Sequence, residues 1–457
     1  MSKFLQFLIL IVFTLSVGTV VAQKTWVGAN NGTWNTGSNW SPSGAPGAGD
    51  NVVISSSHNI NINTSATINR LTITGNVAVT FTSSGAGRTI TIDDTGSSID
   101  AGSSLELRGS TGTGTRSMIL AFTGSNETMN IAGTLTATAV GDGSSYVATN
   151  SLTTVNGTLI SSGGTITSTA ANLTISATGT YQHARNGAAI PTATWNASST
   201  CLVSGITNTI PSAGLGQSFG NFTWNCTGQT AAINNLAGAS GGLTTINGNF
   251  TISSTNGQTL NWNNTGTART ILVGGNFTNS GGVIDWASST STTTMNVAGN
   301  ITVSGSATLD TSTATTTVVN GTFVLTGTSP QTVNFSTPSN VTYTNFTINN
   351  NRTLVLGSNI ILNRNNNGPW RGVITVNSGG TINCGTNVID GGGLVQTNGE
   401  FNLNSGAKMI TANATGVQGS VNTTNVNPTY NSGANYEFRG AATGVFTLST
   451  ANTIPER

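Results

Sequence analysis

The sequence predicts an all-β chain wound as a parallel β-helix (β-solenoid), with an N-terminal cap and short coils of about 20–27 residues. Three observations carry that prediction: a short glycine motif that recurs, alternating apolar and polar runs between its copies, and a composition that favours strands over helices. Among 457 residues there are 14 Lys and Arg, 13 Asp and Glu, and 59 Gly, with Thr, Asn, Ser, Val, Ala and Ile making up most of the rest. Charged residues, at 6% against about 25% in an ordinary domain, leave little Glu, Lys or Arg for helices. A net charge of +1 provides no basic surface to neutralise phosphates, which excludes nucleic acid as a partner. Charge-driven disorder does not fit 36% hydrophobic content.

The motif is apolar-x-Gly-x-apolar. It occurs as Ile131-Ala132-Gly133-Thr134-Leu135, Val155-Asn156-Gly157-Thr158-Leu159, Ile246-Asn247-Gly248-Asn249-Phe250, Val273-Gly274-Gly275-Asn276-Phe277, Val297-Ala298-Gly299-Asn300-Ile301 and Val319-Asn320-Gly321-Thr322-Phe323. Gly133 and Gly157 are 24 apart; Gly248, Gly275, Gly299 and Gly321 follow at 27, 24 and 22, and Gly399 trails Gly379 by 20. Runs such as Asn300-Ile301-Thr302-Val303 alternate as half-buried strands do. A period in the twenties holding about three such strands is one solenoid turn. Val, Ile, Leu and Phe would stack inward, Thr, Ser and Asn would form outward ladders, and Gly and Asn would take positive φ at corners. Roughly 18 coils follow, a rod on the order of 85 Å. A string of β-sandwiches is the competing architecture, but its repeats would be nearer about 100 residues.

Residues 1–22 read as a secretory signal: Lys3, an apolar run over Phe4–Leu15, and small residues before cleavage at Gln23. No later run is long enough to cross a membrane as a helix, so the mature chain is expected to be secreted and extracellular. Residues 23–65 form the expected cap, since an open solenoid end must be covered. That stretch carries Trp26, Trp34 and Trp40 before Pro46-Gly47-Ala48-Gly49-Asp50. Solenoid repeats are expected over 66–457, with a subdivision near 190.

The W-x-G, G-x-W, N-W and P-G-x-G-D pattern of the cap resembles the opening of large surface β-helix proteins of Gram-negative bacteria, adhesins like autotransporter passengers among them. With Thr194-Trp195-Asn196, Phe219-Gly220-Asn221-Phe222-Thr223-Trp224-Asn225-Cys226 and Asn435-Tyr436-Glu437-Phe438, the chain resembles secreted, repetitive cell-surface proteins of Bacteroidetes. The resemblance implies export and a surface role. Such proteins usually end in a β-sandwich sorting domain, whereas this sequence runs to Arg457 in repeat-like residues. The expectation is therefore a fragment or a different anchoring route.

Cys201 and Cys226 lie 25 apart. At equivalent positions on adjacent coils their Cα atoms would be about 5 Å apart, close enough for a disulfide; two stacked buried thiols are the alternative. Cys384 alternates like a core residue. Trp195, Trp224, Trp262 and Trp286 have polar neighbours; facing outward they would stack sugar rings, and facing inward they would fill the core.

A catalytic site finds little support. The acids are dispersed; the densest group is Asp93-Asp94 with Asp100 and Glu106, and the Asp93-Asp94 segment reads as a turn between coils. Adjacent strand residues point to opposite faces, so Asp93 and Asp94 could not line one cleft from a strand. His183, in Tyr181-Gln182-His183-Ala184-Arg185, lacks a triad partner and reads as a surface-loop residue. No catalytic, cofactor or metal residues are expected. The functional expectation is a non-catalytic cell-surface protein, an adhesin or matrix component holding a surface or glycan by repeated weak contacts. A polysaccharide-active β-helix enzyme and an ice-binding protein are the alternatives; the second needs outward Thr-x-Thr on one flat face, and the Thr run Ser289–Thr294 does not repeat at one coil phase.

Overall fold

The structure, a computed structural model, describes residues 21–440 apart from 113–115, 125, 142, 239–240, 287–291, 310–320, 337–340, 343, 363–371 and 392–398. The leader therefore lies outside the described residues except for its last two positions. The Thr run at 289–294 is only partly described.

Short parallel strands wind into a β-solenoid of about 14 turns; among the described residues, helical turns occur at Gly37–Asn39 and Val417–Ser420. Each regular coil visits three sides. One side is a continuous sheet of 16 strands, from His58–Ile62 to Asn435–Phe438. The side preceding it in each coil is made of two 9-stranded sheets. The third side is made of one 5-stranded and two 3-stranded sheets. At the inter-strand spacing of a sheet, 16 strands extend about 70 Å. The turn count falls below the expected 18, and coil lengths spread more widely than foreseen. Leu107 lies opposite Ala137, a step of 30, and Val303 opposite Phe335, a step of 32. Other steps are short: His183 to Val203 is 20.

Burial follows the alternation. Strand Ala78–Ser83 buries Val79, Phe81 and Ser83 and turns Thr80 and Thr82 outward. Along one inward column of the 16-stranded sheet, Val79, Leu105, Leu135, Leu159, Tyr181, Cys201, Phe222, Phe250, Phe277, Ile301 and Val333 stack coil upon coil. Each of them is at least 99% buried. At about 25 cal/mol per Å² of apolar surface, such a stack is the main favourable term holding adjacent coils together.

The recurring glycines have a different reason from the one expected. None of Gly133, Gly157, Gly248, Gly275 and Gly299 has positive φ. They sit where corner backbones of adjacent coils meet: a Cβ on Gly157 would lie 2.1 Å from the Gly133 carbonyl oxygen. Positive φ is carried by another set, including Gly305, Gly379, Gly406, Asn76 and Asn256.

Two members of the sequence repeat are out of phase. Gly321 pairs with Thr293 inside a strand, so the coil equivalent of Gly299 is Gly327. A Cβ on Gly321 would fall 1.8 Å from the Trp286 ring, so this glycine makes room for the indole. Gly399 likewise opens strand Gly399–Leu403, and Gly406 is the coil equivalent of Gly379.

At the N-terminal end, strand Trp40–Ser41 runs antiparallel to Gln23–Trp26 and closes the edge of its sheet. Trp26, Trp34 and Trp40 are at least 98% buried, with ring centroids 5.0 Å (Trp26–Trp40) and 4.8 Å (Trp34–Trp40) apart. The Trp40 indole N–H donates to the Trp34 carbonyl at 2.7 Å. An edge strand this short gives another chain little to pair with.

The sheet preceding the continuous one breaks between Thr194–Trp195 and Ser218–Phe219. Trp195 and Phe219 bridge the break with rings 4.9 Å apart. The Gln217 side chain takes over part of the lost ladder. Its Oε1 accepts from Ala193 N–H and Trp195 Nε1, and its amide donates to the Pro191 and Gly214 carbonyls. The continuous sheet passes through this region unbroken.

Candidate binding surface

The corner motif determines what the outward face displays. In the Gly-Thr coils the Thr N–H donates to the backbone of the coil before: Thr158 to the Gly133 carbonyl and Thr180 to that of Gly157, both at 2.8 Å. In the Gly-Asn coils the glycine itself makes that bond, Gly275 N–H to Gly248 and Gly299 N–H to Gly275. The following Asn N–H then needs another acceptor and finds the side-chain oxygen of the previous Asn. Asn249 donates to Asn221 Oδ1, Asn276 to Asn249, Asn300 to Asn276 and Thr332 to Asn300, at 2.7–2.9 Å.

Two residues beyond each corner, the next outward column carries Thr223, Thr251, Thr278 and Thr302 in register over four consecutive coils. Earlier on the same sheet, Thr134, Thr158, Thr180 and Thr200 form an equally continuous column. Threonines outside the Ser289–Thr294 run therefore do repeat at one coil phase. The pattern is Asn-x-Thr in the later coils, while Thr-x-Thr occurs at Thr134–Thr136. The strands of this sheet from Thr134–Thr138 to Gln331–Phe335 contain no Asp, Glu, Lys or Arg. Spacing along a column is about 4.8 Å, and across a strand about 6.7 Å.

The residues singled out from sequence are placed differently. Trp224, Trp262 and Trp286 are fully buried, so none is a sugar-stacking platform. Trp262 and Trp286 sit in a ring-to-ring spine: Phe222–Phe250 (5.8 Å), Phe250–Phe277 (5.5 Å), Phe250–Trp262 (5.3 Å), Trp262–Trp286 (6.2 Å), Trp286–Phe323 (5.1 Å) and Phe323–Phe346 (5.6 Å), while Trp224 Nε1 donates to Gln229 at 3.3 Å. Trp195 is half-buried between Tyr181 and Phe219 and spends its N–H on Gln217.

The Cys201–Cys226 bridge does not form. Cys201 lies opposite Phe222, four residues before Cys226, so the two are neither bridged nor stacked. All three cysteines are free and buried; burial pushes the thiols of Cys226 and Cys384 up to about 12 and that of Cys201 well above its ordinary value. They are protonated, unreactive core residues.

His183 is a core residue and not a surface-loop one. It closes strand Thr180–His183 at an inward position with no exposure. Its Nδ1 is 3.0 Å from the Tyr181 hydroxyl and its Nε2 is 2.7 Å from the Gly187 carbonyl. Desolvation holds its pKa below the usual value, and the positive charge of Arg185 acts the same way.

Asp93 and Asp94 do lie in a turn between coils. Asp94 pairs with Arg70 at 2.9 Å, and hydrogen bonds from the Thr95 backbone and from Arg70 hold its carboxyl below the ordinary range. Among the described residues no three His, Cys, Asp or Glu gather as a metal group, and no helix is long and apolar enough to cross a membrane. Searches against family models, curated proteins and solved structures return no match.

Proposed function

We propose that the chain is a secreted, non-catalytic surface protein, an adhesin or matrix component of the kind its sequence resembles, which holds an uncharged glycan or solid surface by many weak contacts. The observation that supports this reading is the uncharged outward face of the 16-stranded sheet between strands Thr134–Thr138 and Gln331–Phe335, with threonine hydroxyls in register over successive coils. A stiff array of equivalent hydroxyls meets a repeating partner at several points together, so avidity replaces a single deep pocket. With no charge in the array, screening has little to act on.

The test is a pull-down on a panel of insoluble neutral glycans between about 20 and 500 mM salt, where the Debye length shortens several-fold. Binding should change less than about twofold across that range, and Thr251→Lys with Thr278→Lys should abolish it. A steep loss with salt, or binding unchanged in the double variant, would overturn the reading. Release of soluble oligosaccharides in the same assay would establish the enzyme alternative instead. The in-register threonine column also favours a second reading, adsorption to ice, for which thermal hysteresis lost in the same double variant is the signature.

A further inference from the structure

We propose that Asp93, Thr123 and Glu127 form a site for a hard divalent cation, Ca²⁺, at the corner between two adjacent coils. Ile92 lies opposite Phe122 in the parallel ladder, so Asp93 and Thr123 occupy the same place in consecutive coils. Their backbones continue the ladder, Asp93 N–H donating to the Ile68 carbonyl and Thr123 N–H to that of Ile92. The Thr123 hydroxyl donates to Asp93 Oδ1 and approaches Glu127 Oε1 at 3.3 Å. Two carboxylates thus converge on one hydroxyl, whose single O–H can be donated fully to only one of them.

Glu127 is the unusual member. It occupies an inward position at the start of strand Glu127–Ile131 and is only 7% exposed. Its Oε1 accepts the Gly124 N–H at 2.8 Å, but its Oε2 is fully buried and has no partner. A buried carboxylate oxygen left unpaired carries the full cost of its desolvation. Among the described residues no Lys or Arg pairs with Asp93 or Glu127; the nearby Arg70 is committed to Asp94. Space in front of the carboxylate depends on Gly124, where a Cβ would sit 2.4 Å from Oε1 and 3.2 Å from Oε2.

Carboxylate and hydroxyl oxygens are the ligands of a hard cation. Asp93 Oδ and Glu127 Oε2 would supply the charge, Thr123 Oγ1 a neutral ligand, and water the remaining positions. Ca²⁺ suits this set better than Mg²⁺ because it accepts irregular geometry. Two carboxylates place the affinity with the weak extracellular sites, Kd about 10⁻⁴–10⁻³ M. The ion would join consecutive coils through a corner that hydrogen bonding alone leaves incomplete.

Equilibrium dialysis of the full chain against ⁴⁵Ca²⁺, with thermal melts in the same calcium series, tests the site. One saturable ion per chain is expected, with a melting temperature that rises with calcium. Affinity should fall at least about tenfold in Glu127→Gln and Asp93→Asn, which retain size and hydrogen bonding, and stay unchanged in Asp94→Asn. If Glu127→Gln fails to fold, Asp93→Asn, an exposed position, carries the test alone. No binding by the folded chain at 20-fold above about 10⁻³ M, or binding undiminished in Asp93→Asn, would overturn the proposal. Neither result bears on glycan binding, which is read on a different face.

Discussion

The coils before residue 200 and those after residue 220 build the same solenoid with different parts. In the shared inward column, the early coils stack Leu105, Leu135 and Leu159, and the later ones Phe222, Phe250 and Phe277. At the corner, the early coils pair backbone with backbone through Gly-Thr, and the later coils use an asparagine side chain through Gly-Asn. Step lengths overlap: they run from 20 (Tyr181 to Cys201) to 30 (Leu105 to Leu135) in the early coils and from 23 (Val333 to Leu356) to 32 (Ile301 to Val333) in the later ones. The later third side is reduced to 3-stranded sheets. Coils whose third side carries shorter sheets need more filling, and aromatic side chains supply it because each buries about 150–250 Å². Core side chain and corner chemistry change together, so a coil is a matched set.

The largest effect should come from crowding the corners. A Cβ on Gly157 meets the carbonyl oxygens of Gly133 and Ala132 at 2.1 and 2.4 Å, and both belong to backbone. On Gly275 the nearest atom is the Asn249 side-chain oxygen at 2.6 Å, with backbone at 2.8 Å. Gly157→Ala should therefore cost about 3 kcal/mol or more and Gly275→Ala about 1–2 kcal/mol, since a side chain yields where backbone cannot. Urea unfolding of the two variants measures the difference; equal losses would mean the two corners are mechanically alike.

A smaller effect separates the two hydrogen-bonding schemes. Asn276→Ala removes the acceptor of the Asn300 N–H and should cost about 1 kcal/mol, the net worth of one hydrogen bond that water partly replaces. Thr158→Ala leaves its corner intact, because that bond runs through the backbone, and should stay within about 0.5 kcal/mol. Amide exchange at Asn300 should also quicken in Asn276→Ala while exchange at Thr180 in Thr158→Ala does not.

The fold was legible because its two signals, period-2 alternation and glycine spacing, are local. The individual roles of glycine were not. Gly321 and Gly299 look alike in sequence, yet one yields space to Trp286 inside the core and the other lets two backbones touch at a corner. The tryptophans were ambiguous for a related reason: Asn261 and Asn263, which make Trp262 look exposed, are themselves buried, donating to Asp285 Oδ2 and the Thr267 carbonyl. A buried amide with its bonds satisfied breaks the link between polarity and surface. His183 was recoverable, since Tyr181, Gln182 and His183 alternate as in, out, in. The Asp93–Glu127 corner was not, because its members are 34 apart and meet only through the register of the coils.

His183 lies where the two regions meet, in the coil between the Leu159 rung and the coil of Cys201, and it offers the finest probe of that seam. The groups around it are Tyr181 on its own strand, Cys201 opposite Tyr181 in the next coil, and Arg185, the one charge. The neutral ring fits: Nε2–H donates to Gly187 and Nδ1 accepts from the Tyr181 hydroxyl. A second ring proton would lose that acceptor and set a buried charge near Arg185. Because the folded-state pKa lies below the unfolded value of 6.5, the unfolded chain takes up the proton first as pH falls. Stability is thus full above pH 6.5 and declines below it, by at most about 1.4 kcal/mol per pH unit, until the folded imidazole also protonates. Carboxylates such as Asp94, whose pKa is lowered, add their loss only at more acid pH, so the window from 6.5 to about 5 belongs to histidine. His183→Gln keeps a donor and an acceptor but cannot titrate, and its melting temperature should fall less steeply across that window than the parent's. Parallel slopes in the two proteins would place the acid-sensitive element outside the seam, and the two regions would then have to be joined by packing alone.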